Sequence, residues 1–152
     1  MRRYPPTPPQ KWAELLRERG LRVTAGRLTA LCYFENNPHS SAAAVRDALR
    51  AEHPALSQQS MHNVVNDLTE AGLLRRIDLP GTSSALYETR TQDNHHHVQC
   101  VICHRVEDID CVVGEAPCLR PEHTHGMRLI EAAVTFRGVC ADCDGAGTAS
   151  AA

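Results

Sequence analysis

His95-His96-His97-Val98-Gln99-Cys100-Val101-Ile102-Cys103 puts five metal-binding side chains into nine residues. A second pair, Cys140-Ala141-Asp142-Cys143, repeats the Cys-x-x-Cys spacing near the end of the chain. Two residues between cysteines let one tight turn aim both sulfurs at one ion. Two such turns complete a tetrahedron of thiolates, the closed geometry of a structural zinc site. Cys100, Cys103, Cys140 and Cys143 are therefore expected to clip two strands of a small sheet with Zn²⁺. A redox Cys-x-x-Cys motif would sit at a helix start after a strand and would not need a matching second pair.

The rest of the composition fits a chain that uses metal to fold. Its 152 residues are 42% hydrophobic but include only six aromatics. Small cores are marginal, so a metal that adds folding free energy is useful. Residues 1–88 carry 11 Lys/Arg against 9 Asp/Glu, and residues 89–152 carry 5 against 9. A basic front, with seven basic side chains in the first 27 residues, suits contact with a polyanion. The first residues lead into prolines, and no apolar run approaches the ~20 residues that span a bilayer. A cytoplasmic protein with no membrane partner is expected, and seven cysteines in a reducing compartment point to metal or redox chemistry.

Residues 1–9 read as a loose Pro-rich arm. A helix over 9–19 puts Trp12, Leu15 and Leu16 on one face and stops at Gly20. Thr24 caps a second helix with Leu28, Leu31 and Cys32 inward, ending before Pro38. Ser40 or Ser41 caps a third, with Ala44, Val45, Ala48 and Leu49 inward. Ser57 caps a fourth, with Met61, Val64, Val65 and Leu68 inward and Gly72 at its close. Residues 73–79 and 84–88 then read as two strands around Pro80-Gly81. Helices followed by a hairpin make a winged helix-turn-helix, with the fourth helix entering the major groove of double-stranded DNA. Its outward residues would be Gln59, His62, Asn63 and Asn66. Gln and Asn pair bidentately with adenine. No Lys or Arg lies between Ser57 and Leu74, so phosphate contacts fall to Arg22, Arg27, the arm, and Arg75 and Arg76 at the wing.

The fold class is thus α+β: a winged-helix domain over 1–88, a hinge over 89–94, a small α/β metal-binding domain over 95–143 and a disordered tail over 144–152. In the second domain, 97–101 and 105–109 read as strands around a metal-binding turn. Residues 111–126 read as a loop, and 127–139 hold one or two strands. Strand alternation sends His95 and His97 to one face and His96 to the other. Two imidazoles need further ligands, and Glu88, Glu107, Asp108 and Asp110 are the candidates. Such a mixed N/O site suits Fe²⁺ or Mn²⁺ as well as Zn²⁺. Cys111, Cys118, His123 and His125 form a weaker set: a third metal site, a thiol switch or ordinary loop residues. Cys32 belongs to a core stripe, and His53 to the surface. A zinc hydrolase or deaminase is disfavoured: no His-x-Glu stands beside the cysteines, and four thiolates leave no open position.

Taken together, the winged helix, His95-His96-His97-Val98-Gln99-Cys100 and the terminal Cys-x-x-Cys resemble the ferric uptake regulator (Fur) family. Leu21-Arg22-Val23-Thr24-x-x-Arg27 and Ala71-Gly72-Leu73 match as well. The stretch from Asp110 to Leu119 looks like the branch linked to catalase-peroxidase genes and peroxide response. The resemblance implies a homodimeric, metal-dependent transcriptional repressor, not an enzyme, that binds an operator. It implies a regulatory site of His39, Glu88, His95, His97 and Asp108, drawn from both domains. It further implies that, in a peroxide sensor using iron, His39 or His95 is the residue oxidised. Direct sensing of iron or zinc abundance is the alternative within the family, and a thiol-redox protein using Cys111 and Cys118 is the alternative outside it. The chain departs from the family at His62, where Tyr is usual. It also departs at Asn94 and Ala132, where some members have a third-site His.

Overall fold

The computed structural model describes residues 9–51, 53–93, 95–110, 121–130 and 132–147. It divides into two compact units, Met1–Thr91 and Gln92–Ala152, and the division falls within the segment read as a hinge. The arm at 1–8, the segment 111–120 with Cys111 and Cys118, and the residues 148–152 lie outside the described residues.

The first unit is built on caps and a helical core. Helix α1 (Pro9–Glu18) opens on proline, whose missing N–H costs nothing in the first turn. It ends before Gly20, whose φ of 73° takes the chain into left-handed space. In α2 (Ala25–Asn36) the Thr24 hydroxyl accepts from the Arg27 N–H. In α3 (Ala42–Leu49) Ser41 accepts from Ala44, and in α4 (Gln58–Glu70) Ser57 accepts from Ser60. Gly72 closes α4 at φ 70°, and a Cβ there would come within 3.2 Å of Arg19 Nη1. That guanidinium donates to the Ala71 carbonyl at the helix end.

These helices bury Trp12, Leu16, Ala30, Leu31, Phe34, Val45, Leu49, Met61, Val65 and Leu68 together. Leu28, Cys32 and Val64 pack at the edge of this cluster. In α3 the buried residues are Ala42, Val45 and Leu49, while Ala44 and Ala48, expected inward, are exposed. Alanine is too small to decide a helix face, and the larger Val45 and Leu49 set the rotation.

The wing is a three-stranded sheet in the order β1-β3-β2. Strands β2 (Arg75–Ile77) and β3 (Leu86–Glu88) are shorter than expected. Strand β1 (Ser40–Ser41) was not anticipated. It pairs Ser40 with Tyr87 and Ser41 with Leu86. Phe34 and Tyr87 rings meet at 5.8 Å, which fixes the sheet on α2.

The second unit is a sheet in the order β5-β4-β6. Strand β4 (His95–Cys100) runs antiparallel to β5 (Val106–Asp110) and parallel to β6 (Thr135–Gly138). Helix α5 (Ala141–Gly147) follows at once, so residues 144–147, read as disordered, are helical. Among the described residues, seventeen hydrophobic side chains are buried, sixteen at or before Tyr87 and only Cys100 in this unit. Its other buried residues are His95, His96, His97 and Gln99, and both amide atoms of Gln99 lack a hydrogen bond. Conversely, Val101, Ile102, Met127, Ile130, Phe136 and Val139 are exposed. Among the described residues, no helix is long and apolar enough to cross a membrane.

Candidate metal centres

The β4–β5 turn carries the first cysteine pair. Cys100 ends β4, and the chain reverses so that the His104 N–H donates to the Cys100 carbonyl at 3.0 Å. His104 takes the left-handed φ of 62° that so tight a reversal requires. The second pair brackets the start of α5: the Cys143 N–H donates to the Cys140 carbonyl, and the Cys140 N–H reaches Cys100 Sγ at 3.4 Å. All four sulfurs lie within 4.8 Å of one another, with Cys103 and Cys140 Sγ 3.7 Å apart. A tetrahedron with Zn–S bonds of ~2.3 Å has S···S edges of about 3.8 Å. The Cys103–Cys140 separation matches that edge, and the four sulfurs are close enough together to enclose one zinc ion.

The charge pattern fits as well. Backbone N–H groups of Cys103, Cys140 and Ile102 pull the Cys100 thiol down to about 6, whereas Cys143 is pushed up to about 12, chiefly by hydrogen bonding to Cys140 and Cys103. The first thiolate forms readily and the last resists, because the Cys143 proton is held in hydrogen bonds to the neighbouring sulfurs, with burial and their negative charge adding to the effect. A dication resolves that conflict. The Arg105 guanidinium, paired with Asp142 at 3.0 Å, adds one permanent positive charge beside the cluster.

A second group of donors stands on the opposite face of β4 from Cys100. His97 is in register with Asp108, so both project from the same face, together with His95. Asp108 Oδ1 lies 3.6 Å from His97 Nε2 and 3.8 Å from His95 Nε2. The two rings are 5.0 Å apart. His95 Nδ1 meets Asp93 Oδ1 at 2.8 Å. That bond puts the proton on Nδ1 and leaves the Nε2 lone pair toward Asp108, the usual outer-shell arrangement for a ligating histidine. Among the other candidate carboxylates, Glu107 is in register with Val98 on the far face, and Asp110 opposite His95 is exposed. His96 packs its ring 6.4 Å from Phe136, away from this group.

The first unit holds a third pair of donors. Glu88, at the end of β3, is 1% exposed. Its Oε2 lies 3.3 Å from His39 Nε2, and its Oε1 lies 3.7 Å from Arg75 Nη1. His39 adopts a φ of 61°, unusual for a residue with a Cβ, and its N–H is held by the Tyr87 carbonyl at 3.0 Å. The pairing of β1 with β3 thus fixes the imidazole against the carboxylate.

The residues expected at DNA differ in the contacts they make. Gln59, His62, Asn63 and Asn66 are exposed on α4, and Gln59 Nε2 donates to Asn63 Oδ1 at 3.1 Å. Arg22 is exposed. Arg27 instead bonds Asp67 at 2.5 Å and the Arg22 carbonyl at 2.8 Å, so its charge ties α2 to α4. Arg76 pairs with Asp78 at 3.0 Å, and Arg75 turns to Glu88. His123 and His125 are exposed, and among the described residues neither joins a cluster of three or more donors. Sequence reasoning missed Asp93 and the Arg75–Glu88 pair. A carboxylate two residues before the first histidine was the available signal for Asp93.

Comparison with known proteins bears on the whole chain. The model of the "Ferric uptake regulator family" matches residues 18–137. "Transcriptional regulator FurA" of Mycobacterium tuberculosis is 43% identical over 132 residues, covering 87% of this chain and 89% of the relative. "Ferric uptake regulation protein 1" of Mycolicibacterium fortuitum is 44% identical over 122 residues, covering 80% of this chain and 75% of the relative. Among solved structures, the ferric uptake regulator from Francisella tularensis with iron aligns with a TM-score of 0.66 at 25% identity, over 82% of this chain and 96% of that one. The chain belongs to the ferric uptake regulator family, and is a metal-responsive transcriptional regulator and not an enzyme.

Proposed function

We propose that the protein is a homodimeric, cytoplasmic repressor that binds operator DNA when one divalent ion joins its two units. His39 and Glu88 would come from the first unit, and His95, His97 and Asp108 from the second. The observation that carries this reading is that each unit holds a buried but incomplete set of nitrogen and oxygen donors. Two or three donors make a weak site, whereas five make a site suited to Fe²⁺ or Mn²⁺. An ion can shift a conformational equilibrium only by binding one state better. The conformer that brings both sets together is the one it selects, and that conformer sets the spacing of the two α4 helices in a dimer. Zn²⁺ at Cys100, Cys103, Cys140 and Cys143 would remain in place throughout. Dimerisation is supported by the exposed apolar side chains of the second unit, which among its described residues has almost no buried apolar core.

For the signal, we favour peroxide acting through iron, with catalase-peroxidase genes as targets. Bound Fe²⁺ supplies the peroxide chemistry. The chain supplies oxidisable imidazoles, His39 and His95, whose loss as ligands releases the operator. The second reading is direct sensing of iron abundance, favoured by relatives that are called ferric uptake regulation proteins. Operator binding with Mn²⁺, Fe²⁺ and Zn²⁺, before and after peroxide, separates them. The peroxide reading predicts that only the Fe²⁺ form loses DNA. An Fe²⁺ form unmoved by peroxide selects iron abundance, and DNA binding indifferent to the second metal rejects the regulatory site.

A further inference from the structure

We propose that Arg75 is a resident competing cation of the regulatory site, which weakens metal binding and so sets the concentration at which the protein responds. The inference rests on the reading of Glu88 as a metal ligand.

Glu88 is almost fully buried, and its two oxygens serve different partners. Oε2 faces His39 Nε2 at 3.3 Å, and Oε1 faces Arg75 Nη1 at 3.7 Å. The pairing of Arg75 with Glu88 in the β2–β3 register makes this contact a property of the sheet and not of a mobile surface chain. The Arg75 side chain is itself 22% exposed, so water screens the pair only in part. A buried carboxylate without a partner is costly. Together with His39, Arg75 offsets that cost while no metal is bound, and the metal-free protein is correspondingly stabilised.

The same charge then acts against a metal. Arginine stays protonated at every working pH, so it cannot withdraw by losing its proton. An ion held between Glu88 Oε2 and His39 would share that carboxylate with the guanidinium, which stands 3.7 Å from Oε1. At an effective dielectric near 20, repulsion between a dication and a unit charge across one carboxylate exceeds what a tenfold change in affinity requires. Neutralising residue 75 also removes one of the partners of the metal-free carboxylate, which favours metal binding further. Both effects have the same sign. A purely orienting role for Arg75 has the opposite sign, because loss of an outer-shell partner typically weakens metal binding by about 10–100-fold.

The test is Mn²⁺ titration at pH 8 of full-length protein with its cysteine-bound zinc retained, read by the electron paramagnetic resonance of free Mn²⁺. Arg75→Gln and Arg75→Leu, two neutral side chains of different shape, are each expected to lower the Mn²⁺ Kd by about tenfold or more. Arg75→Lys, which keeps the charge, is expected to stay within about threefold of the parent. Zinc content and thermal unfolding identify any variant that fails to fold, and Arg75→Lys against the parent still reads the charge. An unchanged or raised Kd in a folded neutral variant overturns the proposal, and so does tightening in Arg75→Lys equal to that in Arg75→Gln. Glu88→Gln is the separate control. If it binds Mn²⁺ as well as the parent does, the assignment of Glu88 as a ligand fails, whatever Arg75 does.

Discussion

Removing the zinc ligands should unfold one unit and spare the other. Cys143→Ser leaves three thiolates in a site whose four sulfurs now sit within 4.8 Å. The magnitude follows from what else holds that unit. A fully buried apolar side chain contributes roughly 1.5–3 kcal/mol, and among the described residues the second unit has one buried hydrophobic residue, Cys100, which is itself a ligand. Structural Zn²⁺ in small domains contributes about 10–16 kcal/mol that appears as folding free energy. Zinc therefore outweighs local apolar burial several-fold there, while the first unit keeps its sixteen buried apolar residues. The chain has a single tryptophan, Trp12, and it is buried in the first unit, so its emission reports that unit alone. Hydrogen exchange of the β4 amides reports the other. In Cys143→Ser, or after strong chelation, β4 protection should collapse while Trp12 emission stays blue. Retained β4 protection, or a red shift of Trp12 in step with its loss, would refute the reasoning.

Other perturbations test single contacts. Asp93→Asn should weaken second-metal binding by about 10–100-fold with zinc content unchanged, as read by metal titration. Phe34→Ala, which empties a fully buried site against Tyr87, should cost about 3–5 kcal/mol in denaturant unfolding followed by Trp12. Arg27→Ala should destabilise the first unit by about 1 kcal/mol, because its guanidinium holds Asp67. A fall of about one in the salt slope of DNA binding without a stability change would instead restore it to the interface.

The helices of the first unit were legible because their caps are chemical. Thr24, Ser41 and Ser57 each offer an oxygen to a backbone N–H three residues on, and the large apolar residues that follow recur at helical spacing. The four cysteines were legible for a similar reason: their spacing encodes a turn geometry. What stayed hidden has a tertiary origin. Ser40-Ser41 has no alternation, and it becomes a strand because Tyr87 and Leu86 pair with it. Residues 144–147 have a composition that reads as disorder, yet they belong to a helix that begins where Cys140 and Cys143 are gathered with the first cysteine pair. Arg75 and Arg76 look alike in the sequence, but register sends one to buried Glu88 and the other to exposed Asp78. The contact of Arg27 with Asp67 depends on how α2 and α4 pack, which charge does not show.

The central claim is that the histidine-cysteine stretch divides between a permanent clip and a removable ion, with the boundary between His97 and Cys100. Metal analysis and operator binding of His97→Ala measure this most directly. The account predicts that the variant keeps its zinc, loses the second metal and no longer binds the operator. A His97→Ala protein that loses the zinc, or that still binds the operator in a metal-dependent way, would contradict it.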